Sequence, residues 1–275
     1  MKFLNYDIDY TPGESFTVWP IGDQHRVNVN SDLRRQRKVS HTLQSDPNAL
    51  VIMMGDLHDC IVPSDTRRWD SAAIDYTLID PAKVDKMADE VVRDGVEYVA
   101  DFWPKVLVMH RGNHEEYLDD KCNTTIGRNI CRELGDEDRY SEGMCTTTLR
   151  FKDGNKHVAE FVINSSHGGQ VPQSDGAAVS SMQKKLQHFK DVDLLVRGHS
   201  HRTFIQPIAS LSRRKNGEDL VDNVAWICHS SSYLQTYAAG RQCYGEEKDY
   251  SPTVLLNPRL VLTPVRNRVY AEGRI

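Results

Sequence analysis

Five short apolar runs in this sequence each end in a turn that carries side chains able to bind a metal or transfer a proton. The most sharply bounded run is 106–109 (VLVM), which has the composition of a buried strand and is followed by Gly112, Asn113 and His114. Open α/β sheets present their functional residues at the carboxyl ends of buried strands. This pattern therefore predicts a site at one edge of a sheet.

The other four runs are predicted strands at 16–21, 49–54, 157–163 and 193–196. The residues at the five strand ends that can bind metal or transfer protons are Asp23, His25, Asp56, Asn113, His114, His167, His199 and His201. Because helical segments separate most of these strands, the strand ends lie side by side and their polar side chains are expected to converge. The predicted fold class is α/β, in its mixed α+β form.

The composition is that of an ordinary globular protein, and its 275 residues are enough for a single domain over 1–275. No apolar run approaches the roughly 20 residues that cross a bilayer, and the N-terminus lacks a signal or transit pattern. We therefore expect a cytoplasmic protein with no membrane partner. The six cysteines are dispersed and are expected to be reduced. A net charge of -5 argues against a protein that coats nucleic acid.

Two segments are predicted to add to the alternation of strands and helices. Residues 60–104 are longer than a simple crossover needs, and we expect a helical insertion there with helices over 69–79 and 81–103 and a kink or break at Gly95. Residues 229–252 are rich in Ser, Tyr and Gly. This second segment is expected either to fold over the site and select the substrate, or to form a plain hairpin connection.

The remaining elements follow from hydrophobic periodicity and turn residues. Helices are predicted over 32–44 and 177–190, and over 117–134 with an interruption near Gly127. Further strands are predicted at 146–151, 203–210, 224–228 and 254–264. Residues 213–222 are predicted to form a mobile loop. The basic residues of the first helix are expected to line a solvated face: Arg34, Arg35, Arg37 and Lys38. Four histidines elsewhere in the chain are expected to be ordinary residues without a functional role: His110, His157, His188 and His229.

The converging side chains require a cation. Two carboxylates brought together repel each other, and imidazoles cannot neutralise them at pH 7 without becoming charged. Carboxylate oxygen, amide oxygen and imidazole nitrogen together suit manganese, iron or zinc, whereas calcium and magnesium prefer more oxygen. Two such metals about 3.5–4 Å apart hold a phosphoryl group, lower the pKa of a shared water and stabilise charge on the attacked oxygens. The pattern thus favours phosphoester hydrolysis.

The residues at the strand ends also carry a family resemblance. The motifs, each after a predicted strand, are GDQH at Gly22, GDLHD at Gly55, GNHE at Gly112, SHGG at Ser166 and GHSH at Gly198. In this order they resemble the calcineurin-like metallophosphoesterases, and they span residues 22–201. The resemblance implies a β-sandwich of two mixed sheets flanked by helices, with the site at the strand ends, and a metal-dependent hydrolase of phosphoric esters.

The resemblance further implies a division of ligands between two divalent metal ions, for which manganese is favoured and iron, zinc, nickel or magnesium are alternatives. The implied ligands of the first metal are Asp23, His25 and His201, and those of the second metal are Asn113, His167 and His199. Asp56 is the implied bridge between the two metals. His114 matches a histidine that contacts the substrate phosphate and protonates the leaving oxygen as general acid. Asp59 matches a position that orients a ligand, and His58 is expected at the surface or beside the ligands. Glu115 is expected to cap the following helix.

The substrate class is narrowed by two motifs. In the protein-phosphatase branch the second motif resembles GDxxDRG, whereas here it reads GDLHDCI and lacks that arginine. GHSH with both histidines is familiar in the phosphodiesterase and nuclease branches, so phosphodiester cleavage is favoured. Because GNHE followed by Glu116 also resembles the phosphatase branch, a phosphomonoesterase is the alternative, and a non-catalytic metal- or phosphate-binding module is the third hypothesis. The expected substrate is a nucleotide, a nucleic-acid end or a phosphoprotein.

Overall fold

The computed structural model describes residues 1–61, 63, 69–169, 174–213, 220–238, 240, 243, 246, 249, 252 and 254–275. Its strands are β1 (Lys2–Asp9), β2 (Phe16–Ile21), β3 (Ala49–Met53), β4 (Val106–His110), β5 (Tyr140–Ser141), β6 (Cys145–Asp153), β7 (Lys156–Ser166), β8 (Leu194–Arg197), β9 (Phe204–Arg213), β10 (Leu220–His229), β11 (Arg259–Val265) and β12 (Arg268–Arg274). Its α-helices are α1 (Leu33–Ser45), α2 (Met87–Val99), α3 (Asn113–Cys122), α4 (Ile126–Glu133) and α5 (Asp175–Leu186). Short 3-10 helices lie at Ser71–Ala73, Pro81–Lys86, Ala100–Lys105 and Glu137–Arg139.

The strands form two mixed sheets of six strands each. The first sheet has the order β1-β6-β7-β8-β10-β9, and the second has the order β12-β11-β2-β3-β4-β5. Strands β7, β8 and β10 are parallel in the first sheet, as are β2, β3, β4 and β5 in the second. Each parallel set ends at one edge of its sheet, where functional residues are usually presented. The prediction of two mixed sheets flanked by helices is confirmed.

Apolar side chains from both sheets form the core between them. The fully buried residues at its centre include Val18, Ile52, Val108, Leu149, Ile163 and Val196. Helices α1, α2 and α4 cover the other face of the second sheet with Leu43, Val91 and Ile130, and α5 covers the first sheet with Met182 and Leu186. Because burial of apolar surface is the main favourable contribution to folding, these layers fix where the strand ends lie.

The predicted helix over 69–79 is wrong. Only Ser71–Ala73 is helical in this range, as a single 3-10 turn. Asp70, Asp75 and Asp80 each accept a hydrogen bond from the backbone N–H two positions further on, at 2.9, 3.0 and 2.9 Å. Such local bonds give the backbone an alternative to helical hydrogen bonds, and here three of them follow one another.

The predicted helix over 81–103 is present in its central part as α2, but the predicted break at Gly95 is wrong. The helix continues through Gly95, and the changes to 3-10 geometry lie before Met87 and after Val99. Glycine in a helix interior costs about 1 kcal/mol relative to alanine. Close packing around Gly95, described below, explains why the residue is tolerated there.

Other boundaries differ from the predictions in ways that local geometry explains. The helix predicted over 117–134 is divided at Asn123, which has a left-handed φ of 48° and caps α3, and not at Gly127. The strand predicted at 254–264 begins only at Arg259. Strands β1 and β12 were not predicted; both lie at sheet edges, where one face stays exposed and the apolar signal is weak.

Several predictions fall on residues that the structure does not describe. The predicted loop at 213–222 includes 214–219, the segment 60–104 includes 62 and 64–68, and the segment 229–252 includes 239, 241, 242, 244, 245, 247, 248, 250 and 251; all of these lie outside the described residues. The single domain, the insertion and the substrate-selecting segment stay predictions. Among the helices of the described ranges, none combines the length and apolar character of a membrane span.

His110 joins the two sheets from within the core. It lies at the end of β4 and is buried, its Nδ1 donates to the Gly143 carbonyl oxygen at 3.0 Å, and its Nε2 accepts from the Ser165 hydroxyl of β7 at 2.8 Å. Burial lowers the pKa of His110 to about 3, from an ordinary 6.5. The imidazole is therefore neutral in the folded protein at pH values where it is charged in the unfolded chain.

We predict that His110 makes the metal-free protein sensitive to acid. Because the pKa is depressed in the folded state, its contribution to stability is present above pH 6.5 and is lost as the pH falls towards 3. Between pH 7 and pH 4.5 this loss is about 2 to 3 kcal/mol. Urea unfolding at the two pH values should show a smaller decrease for His110→Gln than for wild type. The exposed control His157→Gln should keep the wild-type decrease; equal decreases in all three proteins would contradict the prediction.

Candidate metal centre

The structure brings the eight predicted strand-end residues together where the two sheets meet. They lie in the turns after β2, β3, β7 and β8 and in the first turn of α3, directly after β4. An isolated parallel bridge between Ile21 and Ser231 joins the end of β2 to the segment that follows β10. Side chains from both sheets can therefore share one site.

Asp23, His25 and His201 form a first group, whose potential ligand atoms all lie within 4.8 Å of one another. The Nε2 atoms of His25 and His201 are 3.1 Å apart, and His201 Nε2 lies 3.4 Å from Asp23 Oδ1. The Nδ1 of His25 faces the Asp59 carboxylate at 3.1 Å. If this nitrogen donates to Asp59, the lone pair of His25 Nε2 points towards the other members of the group.

Asp56, His167 and His199 form a second group within the same limit of 4.8 Å. The amide oxygen of Asn113 lies 2.7 Å from His199 Nδ1 and 3.1 Å from His167 Nε2. His167 Nε2 is also 3.3 Å from Asp56 Oδ2. Because His167 Nδ1 donates to the Met54 carbonyl oxygen at 2.8 Å, the neutral ring presents a lone pair at Nε2 to these oxygens.

His114 belongs to a third group, with His25 and Asp56, that overlaps the other two. Its backbone N–H donates to Asp56 Oδ1 at 2.9 Å, and its Nδ1 donates to the Asp59 carbonyl oxygen at 2.7 Å. These bonds leave Nε2 as the nitrogen available to exchange a proton. One fifth of the His114 side chain is exposed, so a molecule in solution can reach it.

Asp59 contacts two histidines of the site. Its Oδ1 lies 3.1 Å from His25 Nδ1 and 3.2 Å from His114 Nδ1, and its Oδ2 accepts from the amide of Asn28 at 2.8 Å. Asp59 is therefore placed where it can orient both rings. The role that the family resemblance implies for Asp59, orienting a ligand, stays a prediction.

His58 is not at the surface, and the alternative expectation, a place beside the ligands, stays a prediction. Its side chain is fully buried, and its Nε2 faces the carboxylate of Asp94 in α2 at 2.9 Å. It thus points away from the site although it lies between Asp56 and Asp59 in the sequence. A pattern of residue types cannot show which side of such a turn a side chain faces.

Backbone strain is concentrated at the site. Five candidate residues that are not glycine have left-handed φ values: Asp23 (50°), His25 (46°), Asp56 (50°), His199 (72°) and His201 (56°). Such conformations cost of the order of 1–3 kcal/mol each and persist where surrounding contacts impose them. Among those contacts are the bonds from His25 N to the Asp56 carbonyl oxygen and from His199 N to Asp23 Oδ2, both at 3.0 Å.

The electrostatics of the site couple its carboxylates to its imidazoles. Burial alone would raise the pKa of Asp56, but the imidazoles of His167 and His114 outweigh it and hold that pKa well below its usual range. Burial alone would lower the pKa of His167, but the Asp56 carboxylate raises it to about 9. The nitrogen and oxygen atoms that face each other here therefore require positive charge between them.

The donor set fits divalent cations. Asp23 Oδ1 is buried and receives no hydrogen bond, and several lone pairs of histidine, asparagine and aspartate face one another in both groups. Acceptors that face acceptors are stable when a cation lies between them. The mixture of imidazole nitrogen with carboxylate and amide oxygen suits first-row transition metals. The chain therefore has candidate metal-binding residues at this site.

Glu115 joins the turns that carry the site. Its Oε2 accepts from the backbone N–H groups of Gly112 and Asp56, both at 2.9 Å, and its Oε1 accepts from that of His58 at 3.1 Å. The bond to Gly112 is the helix cap that the sequence predicts. The two bonds to the Asp56 turn were not predicted from the sequence. Burial and the Asp56 charge raise the pKa of Glu115 to about 7.

A second unpredicted support lies behind Asp23. The Asp23 carbonyl oxygen accepts from Tyr233 N at 2.9 Å and from the Ser232 hydroxyl at 3.2 Å. Arg35 holds this segment, because it donates to the Ser232 carbonyl oxygen at 2.8 Å and to the Ser231 hydroxyl at 2.6 Å. The prediction that Arg35 lines a solvated helix face is therefore wrong.

His229, to which the sequence assigned no role, supports the turn between β8 and β9. Its Nε2 lies 2.8 Å from the hydroxyl of Ser200, which separates His199 from His201. Its Nδ1 lies 3.1 Å from the Arg202 carbonyl oxygen. Burial lowers the pKa of His229 to about 4, so the ring is neutral.

Two arginines next to the site motifs have partners within the protein. Arg197 is buried and donates to the Val196 carbonyl oxygen and to the Asn164 side chain at 2.6 and 2.9 Å. Arg111 lies 2.8 Å from the carboxylate of Glu116. Both guanidinium groups therefore have hydrogen-bond or ion-pair partners within the protein.

Comparison with known proteins gives a family match and two low-identity similarities. A family model described as calcineurin-like phosphoesterase matches residues 16–203. The structure of Vps29 complexed with Zn²⁺ from Entamoeba histolytica is 14% identical, with 94% of this chain and 98% of that chain covered and a TM-score of 0.35. A conserved protein from Streptococcus pneumoniae TIGR4, described as a predicted phosphoesterase, is 12% identical, with 95% and 98% covered and a TM-score of 0.33. No curated protein matches the sequence.

We predict that Gly112→Ala disrupts the second group. A Cβ at this position would overlap Asp56 Oδ1 and the Asp56 backbone N and would crowd the Glu115 carboxylate. Overpacking of this kind costs about 1–3 kcal/mol, and it would displace Asp56. Urea unfolding and Mn²⁺ titration should both show a loss relative to wild type. Gly143→Ala is the matched control, because its Cβ would enter open space; wild-type Mn²⁺ binding by Gly112→Ala would contradict the prediction.

Proposed function

Because this chain belongs to the calcineurin-like phosphoesterase family, we propose that it hydrolyses phosphoesters with two divalent metal ions and that phosphodiesters are its preferred substrates. The observation that carries the proposal is the position of Asp56. It lies within 4.8 Å of His25, which belongs to the first group, and of His167 and His199 in the second. A carboxylate in this position is suited to bridge two cations.

The residues of each group have separate tasks in this proposal. Asp23, His25 and His201 hold one metal, and Asn113, His167 and His199 hold the other. When bound, the two cations, with manganese favoured, lower the pKa of a water molecule and neutralise charge on the phosphoryl group. The Asp59 carboxylate, 3.1 Å from His25 Nδ1, keeps that ring oriented with Nε2 towards the first metal position.

His114 is proposed as the proton donor to the leaving oxygen. Burial alone would lower its pKa, but the carboxylates of Asp56 and Asp59 raise the pKa to about 10. The ring is therefore protonated at neutral pH, and Nε2 is free to donate. A cation bound to Asp56 would offset the contribution of that carboxylate to the pKa of His114. The Asp59 carboxylate would still favour the protonated ring.

The preference for diesters is supported by the arginines around the site. In the described part of the chain, the arginines that adjoin the site turns already face oxygen atoms of the protein: Arg26 faces Asp94, Arg111 faces Glu116, Arg197 faces Asn164 and Arg202 faces Asp175. A terminal phosphate carries one more negative charge than a diester and benefits more from a free guanidinium. This arrangement therefore favours a diester substrate, such as a cyclic nucleotide or the last internucleotide linkage at a nucleic-acid end.

We predict that bis-p-nitrophenyl phosphate is hydrolysed faster than p-nitrophenyl phosphate. The two esters should be assayed side by side with manganese, zinc, magnesium and nickel, and kcat/KM compared. A much faster monoester reaction would identify a phosphomonoesterase instead, which is the second candidate function. Metal binding without cleavage of either ester would indicate a non-catalytic module. Asp56→Asn should abolish the activity, because it removes the charge shared by the two metals.

We predict that His114→Ala affects substrates according to their leaving group. General acid catalysis contributes about 10²- to 10⁴-fold, and an alkoxide needs the proton far more than p-nitrophenolate does. The variant should therefore lose more kcat on a dinucleoside monophosphate, in which both possible leaving groups are alkoxides, than on bis-p-nitrophenyl phosphate. The exposed His188→Ala is the control and should match wild type. Equal losses on both substrates would argue that His114 only binds the phosphate.

A further inference from the structure

A buried ion network lies beneath the candidate metal centre, on helix α2. The Asp94 carboxylate accepts from Arg26 Nε at 2.6 Å and from Arg26 Nη2 at 2.7 Å, and its Oδ2 also lies 2.9 Å from His58 Nε2. All three residues are at least nine-tenths buried. We call Arg26, His58 and Asp94 the Asp94 network.

The two partners of Asp94 come from the two turns that carry His25, a proposed ligand of the first metal, and Asp56, the proposed bridge. Arg26 directly follows His25, and His58 lies between Asp56 and Asp59. The backbones of these turns are also paired, because Arg26 N donates to the Leu57 carbonyl oxygen at 2.8 Å and Asp59 N donates to that of Arg26 at 3.0 Å. The Asp94 carboxylate therefore pairs with side chains from two turns whose backbones are hydrogen-bonded to each other.

The surroundings of the network are shaped to hold it. Arg26 Nη1 donates to the Gln36 side chain at 2.9 Å, and its guanidinium lies 4.3 Å from the centre of the Tyr98 ring. Gly95 leaves the space that the His58 ring occupies, since a Cβ there would lie 3.1 Å from His58 Cε1 and would also overlap Ile130. This explains a glycine in the middle of α2.

We propose that Asp94 is a positioning residue for the metal centre: by holding Arg26 and His58 it fixes the separation of His25 from Asp56, and so keeps the ligands of the first metal in place beside the proposed bridging carboxylate. The inference rests on the proposed function only in taking His25 and Asp56 as ligands. Both residues have left-handed φ values, so their turns depend on outside contacts to keep this shape. Outer partners of ligands commonly change metal affinity by 10- to 100-fold.

The test is Mn²⁺ binding by calorimetry, together with the melting temperature and the EPR signal of the manganese pair. The variants are Asp94→Asn, His58→Leu and the double variant. Glu90→Gln is the matched control, because Glu90 is a buried carboxylate of the same helix that pairs with Arg93 at 3.1 Å and Lys83 at 3.4 Å, away from the ligand turns. None of these variants changes a proposed ligand. Calorimetry measures Mn²⁺ binding directly, so the result does not depend on whether the protein hydrolyses an ester.

We expect Asp94→Asn and His58→Leu each to weaken Mn²⁺ binding about tenfold or more and to alter the EPR coupling of the pair. The double variant should lose less affinity than the product of the two single effects, because both act through one carboxylate. Glu90→Gln should lower the melting temperature but keep wild-type Mn²⁺ affinity. If Asp94→Asn does not fold, His58→Leu decides the question, because it leaves the Arg26–Asp94 pair intact.

Two results with the variants would overturn the inference and leave the proposed function standing. Either the Asp94-network variants lower the melting temperature without changing Mn²⁺ affinity or EPR coupling, or Glu90→Gln weakens Mn²⁺ binding as much as they do. Wild-type protein that binds no Mn²⁺ would overturn both this inference and the proposed function. Mn²⁺ binding without hydrolysis of either ester would overturn the proposed function alone.

Discussion

The arrangement depends on placing two carboxylates, Asp23 and Asp56, in a buried region together with several imidazoles. Charges of one sign cannot be buried side by side without compensation, and the partners of these two carboxylates are imidazoles and backbone N–H groups. The parallel strands bring the carboxylates to one edge, and the imidazoles face them within 3.3 to 3.4 Å. The repulsion between the two carboxylates also favours a cation at the site. The burial of these charges therefore accounts both for the contacts around them and for the capacity of the site to bind cations.

The turns that carry these groups are strained, and the strain is held by contacts from distant parts of the chain. Glu115 bonds the Asp56 turn from α3, Tyr233 bonds Asp23 from the segment after β10, and Asp94 holds two turns from α2. Tyr233 and Asp94 lie outside the strand-end motifs, whereas Glu115 is the last residue of the GNHE motif. A rigid site of this kind loses little freedom when it binds, which is the usual advantage of a pre-organised constellation.

The sequence was sufficient to predict the strand ends, because an apolar run followed by glycine is a local pattern. It was insufficient for Arg35, whose partner Ser232 lies 197 positions away, since long-range contacts leave no periodicity. His58 shows the same limit, because its residue type suits either side of the turn. Asp and His do tolerate left-handed φ more often than most residues. Their clustering beside glycines was therefore a signal for strained turns that the hydrophobic pattern alone did not use.

The family match ends at residue 203, before β10 and β11. Yet Ser232 and Tyr233, which follow β10, hold the Asp23 carbonyl oxygen, and β11 pairs with β2 immediately ahead of Asp23. A fragment cut at the end of the matched region would contain every candidate ligand and still lose the wall behind one of them. The contacts that support the site therefore extend beyond the span of its motifs.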